Sequence, residues 1–547
     1  TPHIVCVTPT ATPAESSGIQ GQPQDGTVSF APGETTVEGV KKSVPIKANS
    51  AVLLDASGNP VAPGTPVDAL DPEGNKVGEY TIDPATNKVT FTPTNKEYKG
   101  KVQPANVQAE DENGTKVKTT YTPTIVGVTP TAEPAETTDV QGVEQSKEVT
   151  FKPGKATVNG VEKEVPIDTT SYKLLDENGQ PAESVPAKNP AGDVIGTYTL
   201  KVVDGKPTAV FTPTDKTYAG EVAPVTIQAK DTNGTPVTTT YTPNITPVEP
   251  TGTPKTTEGA QGQPQEGTPT FTPGDAKVPM KIDAEQPAKL IDPETGEPTD
   301  KTTIPAKDAS GKEVGTYTID PTTGKVTFTP NKDFTGTPVP ATVQAKDANG
   351  TPTTATYTPT VKPVTPKGVD TFTKDIQGAT QKGTPEFKPG KVTIDGKEVE
   401  VPIDTKEPAK LIDPKTGQPV DSVTIDGEGT YTVDPETGEV TFKPDPQFTG
   451  KGTPIKVQRK DTNGTPVTAD YTAVVVPSDP EGGDVTTADI QGAEQSGTPK
   501  FHGGKANIDG VTKEVPIDET VPAKLIDPTT GQEVSEVVTD EGTYRVD

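Results

Sequence analysis

The sequence predicts an all-β chain: a tandem array of antiparallel β-sandwich modules, about seven strands each, strung into an elongated rod. Three observations predict it. A block opening on Gln-Gly recurs at Gln20-Gly21, Gln141-Gly142, Gln261-Gly262, Gln377-Gly378 and Gln491-Gly492, at intervals of 121, 120, 116 and 114 residues. The apolar residues alternate with polar ones over short runs, and no window of useful length repeats every 3.6 residues. Glycine, proline, aspartate and asparagine clusters separate those runs.

The repeat sets the modules. Thr1–Thr10 aligns with Thr122–Thr131, so the sequence starts in the last strand of a copy, and Gly542–Asp547 matches Gly429–Asp434 in mid-copy. The expected division is 1–8 as the tail of a preceding copy, 9–129, 130–248, 249–364 and 365–476 as whole copies, and 477–547 as a partial fifth. On that reading the sequence is a piece of a longer array, in which signal and anchor would lie elsewhere. Tandem copying of one module serves length or valency rather than chemistry.

Composition alone verges on that of a chain without a core: 29% hydrophobic residues, no tryptophan and a net charge of −28. The placement of aromatic residues argues otherwise. Of 24 Phe and Tyr, all but Tyr172 and Phe372 fall at five recurring sites, which are Phe271, Tyr317, Phe328, Phe334 and Tyr357 in the third copy. Each buried ring contributes on the order of 150–250 Å² to a core, so rings held in register imply a thin core in every copy. The acidity opposes binding to nucleic acid or an anionic membrane and favours solubility.

The third copy shows the elements in order. Segments around Phe271, Val278–Ile282 and Leu290-Ile291 are followed by Thr316–Asp320, where Tyr317 and Ile319 share a face, and by Lys325–Thr329, where Val326 and Phe328 do. Val343 and Ala345 alternate with Gln344 and Lys346, and Thr356–Thr358 closes the copy. Threonine is frequent because β-branched residues suit a half-exposed pleated surface. The topology expected is immunoglobulin-like in architecture, without the cysteine–tryptophan signature of antibody domains. Asp347–Gly350 recurs at Asp111–Gly114, Asp231–Gly234 and Asp461–Gly464 and reads as an Asn-Gly hairpin with positive φ at both residues. Junctions such as Val361–Pro366 carry proline every two or three residues, which stiffens a chain.

No residue pattern identifies a catalytic, cofactor or metal site. His3 and His502 do not recur in other copies, and Cys6 stands alone. The Asp-x-Asn-Gly turns offer oxygen donors suited to calcium, but no glutamate closes a calcium loop and the turn is explained without an ion. Asp-Pro-x-Thr-Gly at Asp292, Asp413, Asp434 and Asp527 reads as a turn rather than a wall-sorting signal, having no apolar span behind it. Lys173, Lys289, Lys410 and Lys524, each ahead of a Leu, mark a position where an isopeptide bond would need an apolar-buried acid; none is evident, and the first copy has Val52.

The strings Pro287–Gly296, Gly315–Pro321, Val326–Gly336 and Val343–Thr351, recurring along essentially the whole chain, resemble the CshA-type fibril repeat, the repetitive stalk of wall-anchored adhesins of Gram-positive cocci. The chain departs from that pattern in longer copies and in Val52. The resemblance implies a secreted, cell-wall-anchored fibril, with no enzymatic activity and no cofactor. Its partners would be host matrix proteins such as fibronectin, or other microbes, bound through regions outside this sequence. Two functions are expected to compete: a stalk that projects an adhesive tip, and an array of weak binding sites acting by avidity.

Overall fold

A computed structural model describes residues 1–547 and contains strands, turns and no helix. Its contacts divide the chain into two compact units. The first comprises Thr1–Thr251 with Thr272–Lys281 and Lys346–Thr353; the second comprises Gly252–Phe271, Ile282–Ala345 and Thr354–Asp547.

The first copy, in the first unit, shows the module. Its strands are β1 (Thr10–Thr12), β2 (Ala14–Ile19), β3 (Gln24–Thr27), β4 (Ser29–Ala31), β5 (Gly33–Val37), β6 (Val40–Val44), β7 (Val52–Leu53), β8 (Val67–Leu70), β9 (Lys76–Asp83), β10 (Lys88–Pro93), β11 (Gly100–Lys101), β12 (Ala105–Glu110) and β13 (Lys116–Val126). One sheet has the order β3-β10-β9-β8. The facing sheet runs β13-β12-β7, with β2 along one edge of β13 and β11 along the other. Nine strands thus form the two sheets, two more than the sequence implied, and the other four pair in twos outside them, β1 with β4 and β5 with β6.

The sequence also implied antiparallel pairing throughout. The first and last strands instead run parallel, Ala14–Ile19 against Tyr121–Val126. They were hard to read because β2 is Ala-Glu-Ser-Ser-Gly-Ile, with too few apolar residues to show a period.

Aromatic rings form the centre of each module. Tyr80 on β9 and Phe91 on β10 are cross-strand partners with ring centroids 5.7 Å apart. Tyr121 on the facing sheet meets Tyr80 edge-on at 6.1 Å, a geometry that aligns ring edges with ring faces. The trio recurs as Tyr198, Phe211 and Tyr241, as Tyr317, Phe328 and Tyr357, and as Tyr431, Phe442 and Tyr471. All twelve rings are buried. The other two recurring sites, Phe30 and Tyr98 in the first copy and Phe271 and Phe334 in the third, are half-buried and pack against the core from its margins.

A polar group lies inside each sandwich beside these rings. Gln24 on β3 accepts a hydrogen bond from Ser16 Oγ (2.8 Å) and donates one to the Thr124 carbonyl (3.0 Å), and Ser16 also meets the Tyr121 hydroxyl at 2.6 Å. Burying an amide is tolerable only when its partners are supplied, and here they join the two sheets. Thr137, Gln145 and Tyr241 repeat the arrangement, as do Thr257, Gln265 and Tyr357, and Thr373, Gln381 and Tyr471.

Candidate functional site: the joint between modules

The Gln-Gly pair that marks the repeat stands at the end of β2. Gln20 N–H donates to the Val126 carbonyl (3.0 Å), adding one rung to the parallel pair. The Gln20 side chain then turns inward, 4% exposed. Its Nε2 donates to the Glu97 carbonyl (2.5 Å) and its Oε1 accepts from Val128 N–H (3.2 Å). One amide so satisfies a donor and an acceptor in two loops that no strand would pair. Gln141 bridges the Thr217 carbonyl and Val248 N–H, Gln261 the Lys332 carbonyl and Val364 N–H, and Gln377 the Pro446 carbonyl and Ser478 N–H.

The carbonyl of the same glutamine faces the next module. Asn233 Nδ2 donates to the Gln20 carbonyl at 3.0 Å, Asn349 to that of Gln141 at 2.7 Å, and Asn463 to that of Gln261 at 2.8 Å. The first two joints lie within the first unit and the third within the second. Each asparagine belongs to the Asp-x-Asn-Gly turn between the last two strands of its module.

Local chemistry explains why that side chain is available. In the turn at Asp231, Gly234 N–H donates to the Asp231 carbonyl (2.9 Å) and Asp231 N–H to the Thr235 carbonyl (3.0 Å). The aspartate Oδ1 accepts from Asn233 N–H and Thr235 N–H, both at 2.9 Å. Only the glycine takes a positive φ, 97° at Gly234, so the turn is not the doubly left-handed type expected from Asn-Gly. The aspartate does the work of the turn, and the asparagine amide is left to reach outward. The Oδ2 atoms of Asp111, Asp231 and Asp461 are buried without a hydrogen-bond partner.

The glycine of Gln-Gly is required twice over. Gly21, Gly142 and Gly262 have φ of 76°, 78° and 78°, a region costly for any residue with a Cβ. A Cβ on each would also lie 2.0 Å from the Oδ1 of Asn233, Asn349 or Asn463. Gly378 has the same φ, 78°, with open space beside it.

Around this hydrogen bond the joints differ. At the first, Ile19 and Val128 pack with Val158 and Val165 from a hairpin of the following copy; at the third, Ala260 and Val364 pack with Val401. At the second, Lys277 Nζ meets both carboxylate oxygens of Asp139 at 2.7 Å. Lys513 meets Asp375 likewise at 2.8 Å at the fourth joint. The aspartates stand two residues before Gln141 and Gln377, where the other two copies have Gly18 and Gly259. The ammonium of Lys277 holds the Asp139 carboxyl below the ordinary carboxylate range, against the opposing effect of burial.

From sequence, Gln-Gly is a period marker and Asn-Gly a turn, and their meeting goes unread. The available signal was their common recurrence: every whole copy carries both, although neither needs the other for its own turn.

The other sequence candidates lie apart from the joints. Lys289 and Lys410 form exposed ion pairs with Asp300 (2.7 Å) and Asp421 (2.6 Å), a wet setting that supplies none of the apolar burial an isopeptide bond needs. Lys173 and Lys524 are exposed, as is Cys6. The Asp292 turn closes with Gly296 N–H on the Asp292 carbonyl at 2.8 Å. No group of three or more His, Cys, Asp or Glu side chains is placed to hold a metal ion.

These repeated sandwiches and joints can be set beside known proteins. The family model of the surface adhesin CshA repetitive domain matches residues 6–125, 127–245, 247–361, 363–475 and 477–547. The chain belongs to the surface adhesin CshA repetitive domain family. Membership makes it the repeat region of a surface adhesin, exposed outside the cell. It also gives the Gln-Gly corner and the Asn-Gly turn a family setting, since both fall inside each whole CshA-type copy. No curated protein matches the chain. Among solved structures, a protocadherin gammaB7 fragment is similar over 86% of this chain and 100% of its own, at 14% identity and a TM-score of 0.30. Three titin immunoglobulin domains cover 64% and 99%, at 10% identity and 0.26. A tetra-tandem repeat from the extending region of a large adhesion protein covers 86% and 99%, at 15% identity and 0.24. Scores this low carry no weight in the assignment. No helix in the chain is long and apolar enough to cross a membrane.

Proposed function

We propose that this chain is the structural stalk of a surface fibril adhesin, anchored in a Gram-positive cell wall and holding an adhesive region away from it. The observation that carries the proposal is the hydrogen bond from a turn asparagine to the Gln-Gly carbonyl of the preceding module, repeated at three successive joints. A joint built from a side chain of one copy and a backbone group of the next fixes how neighbours meet, which a stalk needs and a string of independent binding modules does not. Adhesion itself, to a host matrix protein such as fibronectin or to other microbes, is assigned to regions outside this chain.

Avidity binding by the repeats receives less support. Aromatic contact residues would have to be exposed at matching positions, and the recurring rings of the four whole modules are buried or packed against a core. Phe372 is 74% exposed, but the other copies have Glu15, Glu136 and Thr256 at its position.

The longest strand of a module has 11 residues, or about 36 Å at ~3.3 Å per residue. Small-angle scattering on the chain should therefore give a maximum dimension that grows by about that length with each module added. A dimension that stays level as modules are added overturns the stalk.

A further inference from the structure

The parallel strand pair that the sequence did not foretell has a consequence for tension. A chain enters a module at the start of its first strand and leaves at the end of its last. In a parallel pair those two points are at opposite ends. Pulling on the chain then slides one strand along the other and loads every hydrogen bond of the pair together. In an antiparallel pair joined the same way, pulling would open the bonds one at a time from one end.

All four whole modules have this arrangement in the same register. Ala14–Ile19 lies against Tyr121–Val126, Ala135–Val140 against Tyr241–Thr246, Lys255–Ala260 against Tyr357–Lys362, and Thr371–Ile376 against Tyr471–Val476. The Gln-Gly glutamine lengthens each pair by one backbone bond: Gln20 to Val126, Gln141 to Thr246, Gln261 to Lys362 and Gln377 to Val476. The buried Ser/Thr–Gln–Tyr group fastens the pair to the other sheet. Its hydroxyl residue sits on the first strand, its tyrosine and accepting carbonyl on the last, and its glutamine on the facing sheet. Sliding the pair by one residue would break three part-buried side-chain hydrogen bonds around a glutamine that is itself buried, where an orphaned polar group is costly.

We propose that the parallel pair, pinned by the buried glutamine, is a force-bearing clamp, making each module a mechanical element that resists tension along the chain. Its biological use rests on the stalk reading; the clamp itself is a property of the module.

Single-molecule force spectroscopy tests it. The chain carrying Cys6→Ser is pulled first from its two termini and then from its amino terminus and a handle at Lys116→Cys. The second geometry applies force to β2 and β13 at the same end and peels them. Forced rupture reports an unfolding barrier, and end-to-end pulling is expected to give four high-force events. Peeling should break the first module at less than about half the shear force. A further variant, Gln145→Leu, should lower one of the four end-to-end events and leave three unchanged. If that substitution prevents folding, one event vanishes and the comparison of geometries, made with surface cysteines only, still decides. Equal forces in the two geometries overturn the clamp. A chain that is compact in scattering but strong in shear overturns the stalk alone, and a long chain that yields equally in both directions overturns the clamp alone.

Discussion

The joint makes a sharp prediction because the chain supplies its own control. Gly262 and Gly378 share a φ of 78°, but only Gly262 faces an asparagine, Asn463, from the next module. Gly378→Ala places a methyl group in the left-handed region and nothing more, at a cost of about 1–2 kcal/mol. Gly262→Ala bears the same strain and also drives a Cβ to within 2.0 Å of Asn463 Oδ1. The asparagine must withdraw, and its 2.8 Å bond to the Gln261 carbonyl is lost. A hydrogen bond of this kind contributes about 1 kcal/mol net. Since 1.4 kcal/mol is a factor of ten, amide-exchange protection in the Asp461–Thr465 turn should fall about fivefold in Gly262→Ala. In Gly378→Ala, where the strained residue and the turn share the fourth module, the turn should lose no more protection than the core strands of that module. Hydrogen exchange read by mass spectrometry on the full chain resolves the two. A turn that keeps its full protection in Gly262→Ala would refute the claim that the asparagine holds the modules together.

Other consequences follow from particular groups. Burial pushes the Tyr121 phenol up to about 12 and raises that of Tyr80 as well. Because the folded values exceed the unfolded ~10, the stability they protect is whole below pH 10. It is lost as pH rises toward 12, at about 1.4 kcal/mol per pH unit for each tyrosine, so the tyrosinate absorbance of the eight buried core tyrosines should rise together with loss of β-sheet circular dichroism rather than before it. Thr257→Val removes the hydroxyl shared by Gln265 and Tyr357 and should destabilise the third module by about 1–3 kcal/mol in urea, while Thr256→Val, on an exposed site, should change little. Asn-Gly amides deamidate when the glycine N–H attacks the asparagine side chain and expels ammonia. The Asn113 side chain is exposed, whereas those of Asn233, Asn349 and Asn463 are held at joints, so peptide mapping after prolonged incubation should find Asn113 converted several-fold faster. Lys277→Met should loosen the second joint by no more than about 1 kcal/mol, an effect that disappears in high salt and in acid below the ordinary carboxylate range, since Lys277 holds the Asp139 carboxyl down; amide exchange in the 346–353 segment reports it.

Much of the module was legible because its core depends on side-chain type. Tyr317, Phe328 and Tyr357 announce themselves in a chain with so few apolar residues, and their alternation with threonine places them on inward faces. What was missed depends on hydrogen bonds instead. Ala14–Ile19 is held to the sheet by its backbone and by one serine, so it has no hydrophobic period to find. Gln20 looks like a surface residue of a turn, although three groups from two loops and the backbone ladder surround it. Asn233 was read correctly as part of a turn and given the wrong task in it, because the same dipeptide that favours a left-handed bend also presents a free amide. Polar residues advertise where a chain turns, but the partner that makes them structural lies some 200 residues away in sequence, as with Asn233 and Gln20.

The last strand of a module serves several purposes at once. β13 carries Tyr121, whose ring meets Tyr80 on the facing sheet, and the Thr124 carbonyl that accepts from the buried Gln24, and it holds β2 along its edge. The hydrophobic core, the polar network and the proposed clamp therefore share one element, so the clamp cannot slide without disturbing the core.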